Sequence, residues 1–209
     1  MNRLVQTAAL VAALAAAAVL GPAARAEIVY DNTVNSQGYA YTPLAELGDA
    51  VYLDGTARIV TAFKVLLYSS DPDLVTIDLE SRFYANDGPG DEPGTLLWSD
   101  VLWGLDVLPG TQTVDFAVPS VVVPDVLTWT VNTGSGTVGP VMYDPPVVGA
   151  SDDYFWMNDG TGWGAWWFGG YPVANFGAMI EAVPEPATLC LLGAGLAGVA
   201  VGRLRRNRK

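Results

Sequence analysis

An antiparallel β-sandwich is the fold this sequence predicts, on three observations. Residues 74–84 alternate apolar and polar side chains at a period of two. Short β-rich runs are punctuated throughout by Gly, Pro, Asn and Asp. Between residues 27 and 182 no stretch sustains a helical period. Many short strands with frequent turns build two packed sheets or a jelly roll. A closed barrel is the alternative.

The alternation is cleanest in 74–84. Val75, Ile77, Leu79 and Phe83 fall on one face, and Thr76, Asp78, Glu80 and Arg82 on the other. That is the pattern of a strand with one wet face. A slip of one residue would turn the apolar set to water, so the first set is expected inside and Asp78 and Glu80 outside. Residues 58–68 alternate more weakly, with Ile59, Phe63, Val65 and Leu67 opposed to Arg58 and Lys64. Further strands are expected at 95–103, 111–118, 126–131, 138–143, 153–157, 164–168 and 175–182. Breakers such as Asp54-Gly55, Pro109-Gly110, Pro124-Asp125, Gly134-Ser135-Gly136 and Asn158-Asp159-Gly160 separate them. There is no internal repeat and no linker, so residues 27–182 read as one domain.

Charge narrows the function. From Glu27 to Glu181 the chain has three basic and 21 acidic residues, a formal charge of −18. Such a surface repels phosphate backbones and argues against nucleic acid as a partner. There is no histidine, and the one cysteine, Cys190, lies in an apolar C-terminal run. An internal disulfide, a His-based triad and the usual zinc sites are thereby excluded.

Both ends read as targeting segments. Residues 1–26 have a basic start at Arg3, an apolar run over 10–20, the breaker Gly21-Pro22 and small residues at Ala24 and Ala26. This is the layout of a secretory signal cut by signal peptidase before Glu27. A retained membrane helix is the alternative. At the other end, Val183-Pro184-Glu185-Pro186 refuses helix. An uncharged apolar run over 187–202 follows, about 24 Å long as a helix against a ~30 Å hydrocarbon core. A basic stop over 203–209, with Arg203, Arg205 and Arg206, should stay cytoplasmic.

This tripartite tail, residues 183–209, resembles the PEP-CTERM sorting signal of Gram-negative bacteria, also known as an "ice-binding protein C-terminal" region. The resemblance implies cleavage at Pro184-Glu185-Pro186 by an exosortase-type membrane protease. It also implies an inner-membrane-tethered precursor and association with exopolysaccharide or biofilm. A plain anchor helix would explain the apolar run and the arginines but not the Pro-Glu-Pro element. Residues 46–180 resemble a "choice-of-anchor" β-rich ectodomain. The resemblance rests on Gly48-Asp49 leading to Leu53, Arg82-Phe83-Tyr84-Ala85-Asn86-Asp87, Thr128-Trp129-Thr130 and Tyr143-Asp144-Pro145-Pro146. It implies no active site.

Two segments carry candidate binding chemistry. Trp156, Trp163, Trp166, Trp167 and Tyr171 lie among Asp152, Asp153, Asn158 and Asp159. Apolar plates with polar groups at their rim can stack on and hydrogen-bond sugars. In a strand, though, alternation sends half such rings into the core, and Trp166 and Trp167 would face opposite sides. The turn from Asn86 to Glu92 offers Asp87, Asp91 and Glu92 as oxygen ligands for Ca²⁺ without the spacing of an EF-hand, or is an ordinary hairpin loop. No nucleophile elbow, phosphate loop or dinucleotide fingerprint is present. The expectation is a non-catalytic exported surface protein that binds extracellular polysaccharide. The alternatives are a purely structural matrix component and a glycoside-active enzyme using two carboxylates.

Overall fold

Antiparallel pairing joins every strand, as the turn-rich sequence requires. The computed structural model describes residues 25–185. Ala24, Pro186, the apolar run 187–202 and Arg203, Arg205 and Arg206 lie outside the described residues. Residues Ala26–Pro184 form one compact unit.

In chain order the strands are β1 (Glu27–Asp31), β2 (Ser36–Ala40), β3 (Glu46–Gly48), β4 (Ala50–Tyr52), β5 (Ile59–Ser69), β6 (Val75–Ala85), β7 (Leu96–Val107), β8 (Gly110–Val122), β9 (Val126–Asn132), β10 (Val138–Tyr143), β11 (Ala150–Ser151), β12 (Phe155–Asn158), β13 (Trp163–Trp166) and β14 (Ala178–Val183). A 3-10 turn, Pro89–Asp91, sits between β6 and β7. The smaller sheet runs β1-β14-β5-β10-β2, with β8 on the other side of β5. The larger runs β11-β4-β9-β3-β12-β13, with β6 and then β7 on the far side of β9. The two sheets pack as a sandwich.

The register expected for β6 holds. Ile77, Leu79 and Phe83 are buried, while Thr76 and Asp78 are exposed. Val75, at the strand's end, and Glu80, held by an ion pair, are only half-buried. Weak alternation in β5 has two causes. A register shift between Val60 and Ala62 puts both Val60 and Phe63 in the core. Leu66, on the outer face, is also covered, by Val141 and Tyr143. Gly177 makes that cover possible, because a Cβ there would lie 2.7 Å from the Tyr143 ring.

Several boundaries differ from the expectation. β7 continues to Val107 because Gly104 takes a left-handed φ of 62° at a bulge and donates to Asp78 Oδ1 at 2.9 Å. β8 likewise extends past a bulge to Val122. β13 stops at Trp166, so Trp167 and Phe168 leave the sheet. β1 to β4 and β11 are too short or too polar to announce themselves by periodicity.

Two aromatic nests fill the interior. Phe63 meets Phe83, Trp129 and Phe116 at centroid distances of 5.1, 5.4 and 6.0 Å, and Trp98 packs on Phe83 at 4.8 Å. Tyr41, Phe155, Phe168 and Phe176 form the second. Each fully buried ring contributes roughly 1.5–3 kcal/mol through burial.

Candidate functional site

The outer face of the larger sheet carries a continuous polar row. Cross-strand register builds it from Glu80 opposite Val101 and Asn132, and from Glu46 and Trp163 on either side of Asn158. Leu47 pairs with Val131, which sets Glu46 beside Asn132. One shallow depression joins Asp78, Glu80, Val101, Trp103 and Asn132, and a second joins Glu46, Asn132, Asn158 and Asp159. Asn132 is common to both. The backbones of Trp103 on β7 and Trp163 on β13 lie five interstrand steps or about 24 Å apart, and the Trp163 ring reaches back over the row to Tyr84.

Its centre is held by one guanidinium. Arg82 bridges Glu46 and Glu80, meeting Glu80 Oε1 at 2.6 Å from its second terminal nitrogen. The free oxygen of Glu46 accepts from Thr130 Oγ1 at 2.6 Å and from the Tyr84 hydroxyl at 3.1 Å. Burial first, and the Glu46 carboxylate second, raise the Tyr84 phenol to about 12, so it stays a donor at neutral pH. Trp163 stands edge-on to the Tyr84 ring at 5.4 Å. Two carboxylates therefore do come together, but around an arginine that pairs with both.

The five aromatic residues singled out in the sequence separate. Trp156 is 7% exposed, covered on the outer face with Tyr154 edge-on to it. Trp163 is half-buried, its ring against Tyr84 over the polar row. Trp166, Trp167 and Tyr171 stand 51%, 68% and 74% exposed. Alternation puts Trp166 on the side of Phe155, its partner, yet β13 is an edge strand that overhangs the core. The expectation that Trp166 and Trp167 oppose each other across a strand fails because the strand ends between them. Phe168 anchors this segment against Tyr41 and Phe155. Gln37 clamps Val173 with two reciprocal bonds of 2.8 Å. The depression at this edge is lined by Ala165, Trp166 and Trp167 alone.

In the 86–95 loop, Asp87 is exposed but closes the loop onto Thr95. Its oxygens accept from the Thr95 amide at 2.6 Å and the Thr95 hydroxyl at 2.7 Å, and the hydroxyl bond leads in holding its carboxyl below the usual range. Asp87, Asp91 and Glu92 are not brought together as a trio. Among the described residues no three Asp, Glu, His or Cys side chains form a metal-binding group. The sequence reading missed Glu46, Arg82, Tyr84, Asn132 and Trp103. These are scattered over 87 positions, from Glu46 to Asn132, and only strand register assembles them.

The described fold and the C-terminal pattern together define an all-β ectodomain ending in a sorting tail. Residues 182–206 match the PEP-CTERM protein-sorting motif. No curated protein and no solved structure matches the chain. The motif implies export, processing by exosortase and anchoring at the cell surface. It begins inside β14, where Ala182 is buried opposite Val60 and Val183 pairs with Ile59. Pro184 and Glu185 follow directly. Val183 thus belongs to the sandwich as well as to the motif. Among the described residues no helix is long and apolar enough to cross a membrane.

Proposed function

We propose that the exported sandwich is a non-catalytic, polysaccharide-binding component of the extracellular matrix, and that it holds a neutral glycan across the outer face of its larger sheet. The inner-membrane-tethered precursor of a Gram-negative-type cell is its first location. The carrying observation is the row Glu80, Asn132, Glu46 and Asn158 with Trp103 at one end and the Trp163 ring folded over it against Tyr84. Sugar recognition requires an apolar plate with hydrogen-bonding groups beside it. The row supplies both, whereas the edge formed by Trp166, Trp167 and Tyr171 supplies plates alone and serves as a stacking extension. Asp78, Glu80, Glu46 and Asp159 on this face disfavour acidic polymers. The non-catalytic reading is supported at this pair by Glu46, whose oxygens are all engaged by Arg82, Tyr84 and Thr130.

A glycan array probed with the full chain in mild detergent tests this. Neutral polysaccharides should bind and uronate polymers should not. Retention of uronates alone, or of no glycan, removes the reading and leaves a purely structural matrix component. That alternative is favoured by the solvent-exposed aromatic edge, which offers a surface for packing against other matrix molecules.

A further inference from the structure

Apart from two tryptophan ring nitrogens, every buried side-chain polar atom lacking a hydrogen-bond partner among the described residues is an oxygen of one group. These are the Tyr30 hydroxyl, Asn32 Oδ1, Asp49 Oδ1, Ser151 Oγ and Asn175 Oδ1. The amides are fixed in orientation by their nitrogens. Asn32 Nδ2 donates to the carbonyls of Tyr143 (2.7 Å) and Phe176 (3.1 Å), and Asn175 Nδ2 donates to Asp144 Oδ1 at 2.8 Å. Asp49 Oδ2 accepts from the Phe176 amide at 2.6 Å. Asn32 and Asp49 thus meet at the backbone of Phe176, next to Asn175, and each of the three leaves its Oδ1 without a partner. Asn32 and Ser151 also flank the Tyr30 hydroxyl.

This group lacks positive charge. The three basic side chains of the exported domain are engaged elsewhere: Arg58 with Asp125, Lys64 with Asp115, Arg82 with Glu46 and Glu80. Asp49 is fully buried, and Asp144 and Asp152 add negative potential. A bare carboxylate in such a place is costly. The Tyr30 and Ser151 hydroxyls can each donate one proton, so hydroxyls and water can satisfy the three acceptors, but they leave the Asp49 carboxylate without a counter-charge. A cation supplies it.

We propose that these oxygens bind one Ca²⁺ ion, with Asn32, Asp49 and Asn175 Oδ1, the Tyr30 hydroxyl and Ser151 Oγ as side-chain ligands and water completing the shell. An oxygen-only set drawn from separate segments suits Ca²⁺, which accepts six to eight ligands in irregular geometry, better than the strict octahedron of Mg²⁺. Asn32 follows β1 of the smaller sheet, and Asn175 precedes β14. Asp49 lies between β3 and β4 of the larger sheet, and Ser151 ends β11. The ion therefore ties the two sheets together, a role that a chain with a single cysteine cannot give to a disulfide.

The full-length chain in mild detergent, stripped with chelator and titrated with CaCl₂ or MgCl₂, tests the site by metal content and thermal midpoint. One tightly held Ca²⁺ per chain is expected. Ca²⁺ at about 100 times Kd should raise the midpoint by ~5 °C or more, and Mg²⁺ should not. Asp49→Asn should abolish that response, while Asp153→Asn on the surface should keep it. Absence of stoichiometric Ca²⁺, a midpoint indifferent to it, or a full response in Asp49→Asn overturns the proposal. The metal content of the unaltered chain decides the matter even where a variant fails to fold.

Discussion

The outer face of the larger sheet and the aromatic edge beside it present tryptophan to solvent in different ways. Across the face, Trp103 and Trp163 flank a row whose members are fixed by register and by the Arg82 network, with the Trp163 ring leaning over it onto Tyr84. At the edge, Trp166 ends β13, and Trp167 and Tyr171 lie on the segment beyond it, which Phe168, Gln37 and the Tyr39–Tyr171 contact fasten. The face joins plates to polar partners in rigid β structure. The edge offers apolar area without them. Exposure alone does not make a recognition site; the difference lies in what surrounds each ring.

The two regions should respond differently to substitution. The largest effect belongs to the core beneath the face. Phe83→Ala removes a buried ring that touches Phe63 and Trp98 and should cost about 3–5 kcal/mol in denaturant unfolding. Next is Arg82→Ala, which leaves Glu46 nearly buried and unpaired. With Arg82 partly exposed the loss is about 2 kcal/mol, and Arg82→Lys should restore only part of it. Smallest is the edge. Trp167→Ala should change stability by no more than ~0.5 kcal/mol. A large loss there would show that the edge belongs to the core after all.

Acidity gives a further contrast between buried and surface carboxylates. Burial raises the Asp49 carboxyl well above its ordinary range, with Asp144 and Asp152 adding to the rise. The folded chain then holds that proton more tightly than the unfolded chain. In chelator, its contribution to stability is present below the ordinary carboxylate range and lost as pH rises through the raised folded value. Asp49→Asn should remove that slope in a series of melts. Unchanged pH dependence would show that Asp49 is not its source.

Much of the sandwich was legible in the sequence, and the reason is local. In β6 one face is buried and the other wet, so Ile77, Leu79 and Phe83 reveal their register directly. Bulges hid the ends of β7 and β8, because an extra residue resets the alternation. β3 and β4 were invisible, being three residues each and split by Asp49. The tail was legible because its parts are contiguous, and its match begins at residue 182. The polar row was not, since Glu46, Glu80, Asn132 and Asn158 meet only through pairing of distant strands. The buried oxygens were hidden for the same reason: nothing near Asn32 or Asn175 in sequence signals that Asp49 lies beside them.

The most direct test compares affinity for a neutral oligosaccharide in two double variants of the full chain, with the thermal midpoint read on the same samples. Trp103→Ala with Trp163→Ala should weaken binding by about 100-fold or more, at roughly 1–3 kcal/mol per stacking plate removed. Trp166→Ala with Trp167→Ala should weaken it only a few-fold, and both proteins should remain folded. Binding lost at the edge and kept on the face, with both variants folded, would contradict the assignment of the glycan to the polar row.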